Sequence, residues 1–244
     1  MPAASKPAKA PRKAQCLDDL RRRILTQAHA PGDYLDEQQL AQTYEMSRPP
    51  LREVLNQLAG EGFVVLHKNR GAQVAPMTHK TLRNFFVAAP MIYAAVSRLA
   101  ACHATPAQIM QLKDTQLLFR AAIRDGDVSQ RALINQRFHA QIGDMADNEY
   151  LMPSLRRLLI DHTRISMTFY DPHHGSLAQQ RKIAADQHDA FIAAFEAHDA
   201  DAAAQLAIDH WELSRAEIET FAAPQGLQIP LGTAPGTRQQ KGAS

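Results

Sequence analysis

A chain of 244 residues, 45% of them hydrophobic, can bury a substantial core and has room for two small domains. Aromatic residues make up only 6%, glycines number 11 and alanine is abundant, a balance that disfavours a sheet-dominated fold and points to a mostly helical one. A net charge of +2 is too small to make the whole molecule a nucleic-acid binder, and the two cysteines, Cys16 and Cys102, are too far apart to suggest a disulfide framework or a thiolate metal site.

In chain order, residues 1–14 read as a disordered, basic tail rich in Pro, Ala and Lys. Lys6, Lys9, Arg12, Lys13, Arg21, Arg22 and Arg23 crowd this end and offer a local basic face. There is no apolar leader, and the longest apolar run, from Phe85 to Val96, falls short of the roughly 18 residues a membrane span needs, so a reduced, cytoplasmic protein is expected. Residues 15–77 form the first predicted domain. Cys16 to Gln27 is a helix with Leu17, Leu20 and Ile24 facing inward, and Asp36 to Tyr44 is a short amphipathic helix capped by Asp36.

Ser47 then caps a third helix, with Pro49 and Pro50 in its first turn, where a missing amide hydrogen costs little. Leu51, Val54, Leu55 and Leu58 make its buried stripe, Arg48, Arg52 and Asn56 its polar edge, and Gly60 and Gly62 its stop. Two helices joined by a tight turn make a helix-turn-helix. Extended runs at Phe63 to Leu66 and Ala72 to Ala75, joined by a basic turn from His67 to Gly71, add a hairpin wing.

The ordered set Pro31-Gly32, Leu35, Leu40-Ala41, Ser47-Arg48, Pro50-Leu51-Arg52-Glu53, Leu58, Glu61-Gly62 and Asn69-Arg70-Gly71 resembles the winged helix of the GntR family of bacterial transcription regulators. The resemblance implies a homodimer that binds a pseudo-palindromic double-stranded DNA operator, most simply as a repressor. It places Ser47, Arg48, Arg52 and Asn56 at the major groove, Gln38 beside it, and Lys68, Arg70 and Gly71 in a wing near the minor groove. Arg48 and Arg52 either read guanine through bidentate contacts or grip phosphate. Two positions depart from the family: Pro49 replaces a hydroxyl residue, and Glu45 stands where the turn usually has glycine, which predicts strain there.

Residues 78–222 form the second predicted domain, an antiparallel all-α bundle, with a disordered tail at 223–244. Helices are expected over 80–103, 105–125, 128–147, 150–170, 177–198 and 200–222. The Thr105 to Gln108 capping box, the Asp125-Gly126-Asp127 break, the loop from Asp171 to Gly175 and the Asp199 cap separate them. Ser97 to Ala101, Asn135 to His139 and the helix pair from His188 to His210 are similar to the ligand-sensing FCD-type domain of the FadR branch.

Asn135 and His139 lie four apart on one helix. His188 and His210 lie eleven residues to either side of Asp199, so a hairpin capped there sets them at equal height on facing helices. Each histidine sits on an apolar stripe, where converging imidazoles are satisfied by a divalent metal or, in the plainer reading, by separate hydrogen bonds. The resemblance implies the metal, bound by an Asp and three His, with a carboxylate effector on it; zinc, nickel and manganese all suit such donors. Here the Asp is Asn135, which brings no charge. An Arg and a Glu common in the first sensing helix are replaced by Ala89 and Tyr93, so the effector pocket around them is rebuilt. The remaining histidines, among them His173, His174 and His198, read as solvated. Two other functions stay open: a DNA binder whose bundle only dimerises, and a metal-dependent hydrolase, against which the winged helix stands unexplained; the expectation is a non-enzyme.

Overall fold

The computed structural model describes residues 12–169 and 177–222; residues 1–11, the tail at 223–244 and the loop from Asp171 to Gly175, with His173 and His174, lie outside these, whereas Arg12 to Ala14, expected in the N-terminal tail, open the first helix. The structure is mostly α, built around two cores. In the first, α1 (Arg12–Leu25), α2 (Glu37–Thr43) and α3 (Arg48–Glu61) enclose Leu17, Leu20, Ile24, Leu40 and the stripe Leu51, Val54, Leu55 and Leu58. The Asp36 carboxylate caps α2 by accepting from the amides of Gln38 and Gln39. Ser47 occupies the N-cap of α3 but makes no side-chain cap bond, so the prolines in the first turn carry that start. Gly62 ends α3 at φ 91°, in the left-handed region that favours glycine.

Three short strands complete this unit: β1 (Tyr34–Leu35), β2 (Val64–His67) and β3 (Gly71–Val74), antiparallel in the order β1-β3-β2. β2 and β3 are the expected wing, registered from Val64 opposite Val74 to His67 opposite Gly71. β1, which pairs Leu35 with Ala72, is an addition: two residues carry no periodicity to read.

The second core is the bundle of α4 (His79–His103), α5 (Pro106–Asp125), α6 (Val128–Ala146), α7 (Leu151–Phe169), α8 (Leu177–Glu196) and α9 (Ala200–Ala222). The Thr105 and Gln108 capping box forms as expected, a second joins Thr78 and Thr81, and the Asp199 carboxylate accepts from the Ala202 amide to start α9. Phe138, Ile142, Met145, Leu155, Phe191, Phe195 and Trp211 fill the centre. By length and composition alone α4 could cross a membrane; here Phe85, Ala89, Tyr93, Val96 and Ala100 on it lie buried in this core. Gly143 lets α7 approach α6 closely, since a Cβ there would run into the Leu155 side chain.

α7 belongs to both cores. Its Ile160 packs into the winged helix, and the fully buried Arg164 donates through Nη2 to the Ala75 carbonyl at 2.5 Å. The Gln27 amide donates to the Arg164 carbonyl at 2.5 Å, and Arg157 lies so close to Gly62 that a Cβ there would sit 2.5 Å from its Cδ.

Candidate metal and nucleic-acid sites

On the winged helix, α3 presents Arg48, Arg52 and Asn56 to solvent along one edge, and the α2 residue Gln38 is exposed beside it. Arg52, Asn56 and Gly71 line one groove between α3 and the wing, together with Glu37, whose carboxylate lies 3.7 Å from Arg52 Nε. Lys68 and Arg70 are exposed at the wing tip, where Asn69 at φ 64° and Gly71 at φ 77° turn the chain. Arg48, Lys68 and Arg70 form no ion pair among the described residues.

The N-terminal arginines differ from expectation. Arg12 and Lys13 pair with Glu45 and Glu53, Arg21 with Glu61 and Asp18, and Arg22 and Arg23 with Asp19. Lys13 and Arg21 thereby tie α1 to α3, and Arg12 ties it to the turn before α3, while Arg22 and Arg23 pair within α1; Lys6 and Lys9 lie outside the described residues. Glu45 adopts φ 49°, the strained corner its replacement of glycine predicts.

In the bundle, α6, α8 and α9 bring His139, His188 and His210 together, with one ligand nitrogen from each within 4.8 Å of the others. Their ring centroids are 5.0 to 5.4 Å apart. All three are buried, His188 completely. The Nε2 atoms of His139 and His188 are buried without a hydrogen-bond partner, a polar deficit that a bound metal would satisfy.

The tautomer of His188 is fixed by its neighbours. Gln116 Nε2 donates to the Ala185 carbonyl at 2.7 Å and to Asp189 Oδ1 at 2.9 Å, groups that only accept. Its Oε1 therefore faces His188 Nδ1 at 3.1 Å and takes that proton, leaving a lone pair on Nε2. Arg120 holds Asp189 from behind. His210 Nδ1 donates likewise to Gln187 Oε1 at 2.8 Å. Burial first, and then neighbouring imidazoles, push His139 and His188 well below the usual imidazole range, and burial takes His210 down to about 3. The cluster is neutral near pH 7, the state a metal requires. These donors fit a divalent transition metal.

A fourth imidazole, His162, corrects the reading of the remaining histidines as solvated. His162 on α7 is 5% exposed, and its Nδ1 lies 2.9 Å from the Tyr93 hydroxyl. Leu155, Leu159, His162 and Ser166 follow helical spacing on one buried stripe, the signal that could have found it. Burial lowers it to about 4. Of the residues expected to reshape the effector pocket, Tyr93 lines a small cavity with His139, His162 and His210, whereas Ala89 is packed into the core and lines neither cavity here. Asn135, one turn before His139, is half-buried and borders a second cavity of about 420 Å³, mouth included, with His162, Ser166 and His210. His198 is not simply solvated: it turns the α8–α9 hairpin at φ 54°, and its Nδ1 donates to the Ala101 carbonyl at 2.8 Å.

A three-helix winged unit with an exposed basic edge, seated on a helical bundle with a buried histidine cluster, is the architecture of a DNA-binding regulator. Residues 13–74 match the gntR family of bacterial regulatory proteins and residues 90–213 match the FCD domain, and the chain belongs to the GntR family in its FCD-containing form. It is 29% identical to the Nta operon transcriptional regulator of Aminobacter aminovorans over 52% of this chain and 60% of that one. It is 28% identical to the transcriptional repressor RspR of Escherichia coli K12 over 62% of this chain and 67% of that one. The matched region thus spans about three fifths to two thirds of these relatives. In fold it is similar to E. coli McbR/YncC, with a TM-score of 0.75, 18% identity, and coverage of 88% of this chain and all of that one. It is also similar to a GntR regulator from Rhodococcus sp. RHA1, at 0.66 and 19% over 86% and 98% of the two chains.

Proposed function

We propose that the protein is a cytoplasmic, homodimeric transcription repressor of the FadR branch that binds a pseudo-palindromic operator and responds to a small carboxylate in its bundle. The observation that carries this reading is the position of α7. One side of it brings His162 and Ser166 to the histidine cavities, and another puts Ile160 and Arg164 into the winged helix. A ligand that shifts α7 therefore shifts the seat of the DNA-reading unit, and a preference for one of two dimer arrangements becomes a change in operator affinity.

At the operator, Ser47, Arg48, Arg52 and Asn56 enter the major groove with Gln38 at its edge, while Lys68, Arg70 and Gly71 meet the adjoining backbone and minor groove. Glu37 holds Arg52 near the groove without burying it. In the bundle, His139, His188 and His210 would hold zinc, nickel or manganese with Asn135 alongside, and the metal would supply a Lewis-acidic seat for the effector carboxylate. Gln116 and Gln187 orient two of these rings, and Tyr93 and His162 wall the space above them.

The test is binding to duplexes selected from a random library by the full chain. Selection of an inverted repeat is expected, with Arg52→Ala relaxing preference at one position per half-site by about 1–3 kcal/mol and Lys68→Ala weakening all duplexes alike. Failure to enrich any duplex, or loss confined to non-specific affinity in both variants, would overturn the reading.

A further inference from the structure

Two arginines from different helices of the bundle, Arg131 of α6 and Arg181 of α8, line one cavity. On α6, Arg131, Asn135 and His139 follow at four-residue steps and share one face, so Arg131 stands two turns, about 12 Å along the axis, from the histidine cluster. Arg131 is only 4% exposed, and it lines this cavity together with Asn135, Ser166 and Arg181 of α8. His162 and His210, the latter a member of the histidine cluster, also line it. Both guanidinium groups keep contacts of their own within the chain; an anion in the cavity adds to those.

The wall of this cavity selects by charge and by shape. Its formal charges are the two guanidinium groups, and no carboxylate is among its described lining residues. In a low-dielectric bundle such a wall favours an anion. Asn135 and Ser166 add neutral groups that can donate to its oxygens. The rest of the lining, Phe119, Ala132 and Ala184, is apolar, suited to a short carbon skeleton. One planar charged head with a small apolar body describes a carboxylic acid better than an inorganic oxyanion.

We propose that Arg131 and Arg181 are the anion anchors of this bundle, together holding a small organic carboxylate in the cavity beside His162 and His210. The proposal rests on the sensor reading above and assigns its specificity to α6 and α8 instead of to the first sensing helix.

The test is isothermal titration of the protein as purified with acetate, L-lactate, malonate, succinate and benzoate, and with inorganic phosphate as the counter-probe. At least one carboxylate is expected to bind, with phosphate weaker by on the order of tenfold or more. Arg181→Gln and Arg131→Gln should each weaken that carboxylate by on the order of tenfold or more, with Arg131→Lys and Arg181→Lys restoring part of the loss. Circular dichroism and selected-duplex binding check the fold; if Arg131→Gln does not fold, Arg131→Lys and the Arg181 pair decide. No carboxylate bound by the parent protein, phosphate bound as tightly, or a folded Arg181→Gln with unchanged affinity would overturn the proposal. A parent protein that binds its duplex but no acid sinks the anchors and the sensor together; one that binds an acid regardless of both arginines sinks the anchors alone.

Discussion

Replacing Gln116 by Leu separates a positioning role from a packing role. Gln116 is 3% exposed and makes three hydrogen bonds, to the Ala185 carbonyl, Asp189 and His188. Leu fills similar space but removes all three, and it strands the Nδ1 proton of a fully buried imidazole. At about 1 kcal/mol net per bond, with about 1–3 kcal/mol for the stranded donor and some return from the added apolar surface, stability should fall by about 2–4 kcal/mol. That loss is expected of any buried glutamine. The specific consequence is that His188 no longer has its lone pair held on Nε2, so zinc affinity should fall by about 10- to 100-fold. The assay is zinc competition against a fluorescent chelator, run beside chemical denaturation in excess EDTA. A variant destabilised in EDTA but binding zinc within about twofold of the parent would refute the positioning argument.

Two further outcomes test the winged helix and its seat. Gly62→Ala forces a side chain onto a residue at φ 91° and against Arg157, so the denaturation midpoint should drop by the equivalent of about 1–2 kcal/mol; an unchanged midpoint would show that the seam gives way freely. For Asp19, burial opposes ionisation, but donation from Tyr44, Arg22 and Arg23 prevails and lowers its carboxyl to about 2. A depressed carboxyl stabilises the fold above its unfolded value near 3.8 and loses that contribution as pH falls toward 2. Asp19→Asn should therefore cost about 2 kcal/mol at pH 7 and flatten the stability profile between about pH 4 and 2. An equally steep acid limb in the variant would assign that limb to other groups.

Much of this fold is legible in the sequence because local signals and burial agree. The stripe Leu51, Val54, Leu55 and Leu58 has helical spacing, and the structure buries all four. Thr105, Asp127, Asp199 and Gly62 mark helix ends with chemistry that works locally. The symmetry of His188 and His210 about Asp199 is a hairpin property, and the rings do meet. What escaped depends on partners distant in sequence. β1 exists only because Gln73 and Ala72 are beside it. The pairing of Arg21 with Glu61, 40 residues apart, and the insertion of Arg164 beneath Ala75 are set by tertiary packing, which turns apparently free cations into braces. His162 carried a readable burial signal, but its meeting with Tyr93 across 69 residues did not.

The central claim, that the three converging histidines hold a metal around which a ligand is sensed, is tested most directly by the metal content of the purified protein beside His188→Ala. The account predicts about one zinc, nickel or manganese per chain in the parent and none in the variant, with the metal-loaded parent the more stable of the two. A parent free of metal, and equal to His188→Ala in stability and in operator binding, would contradict it.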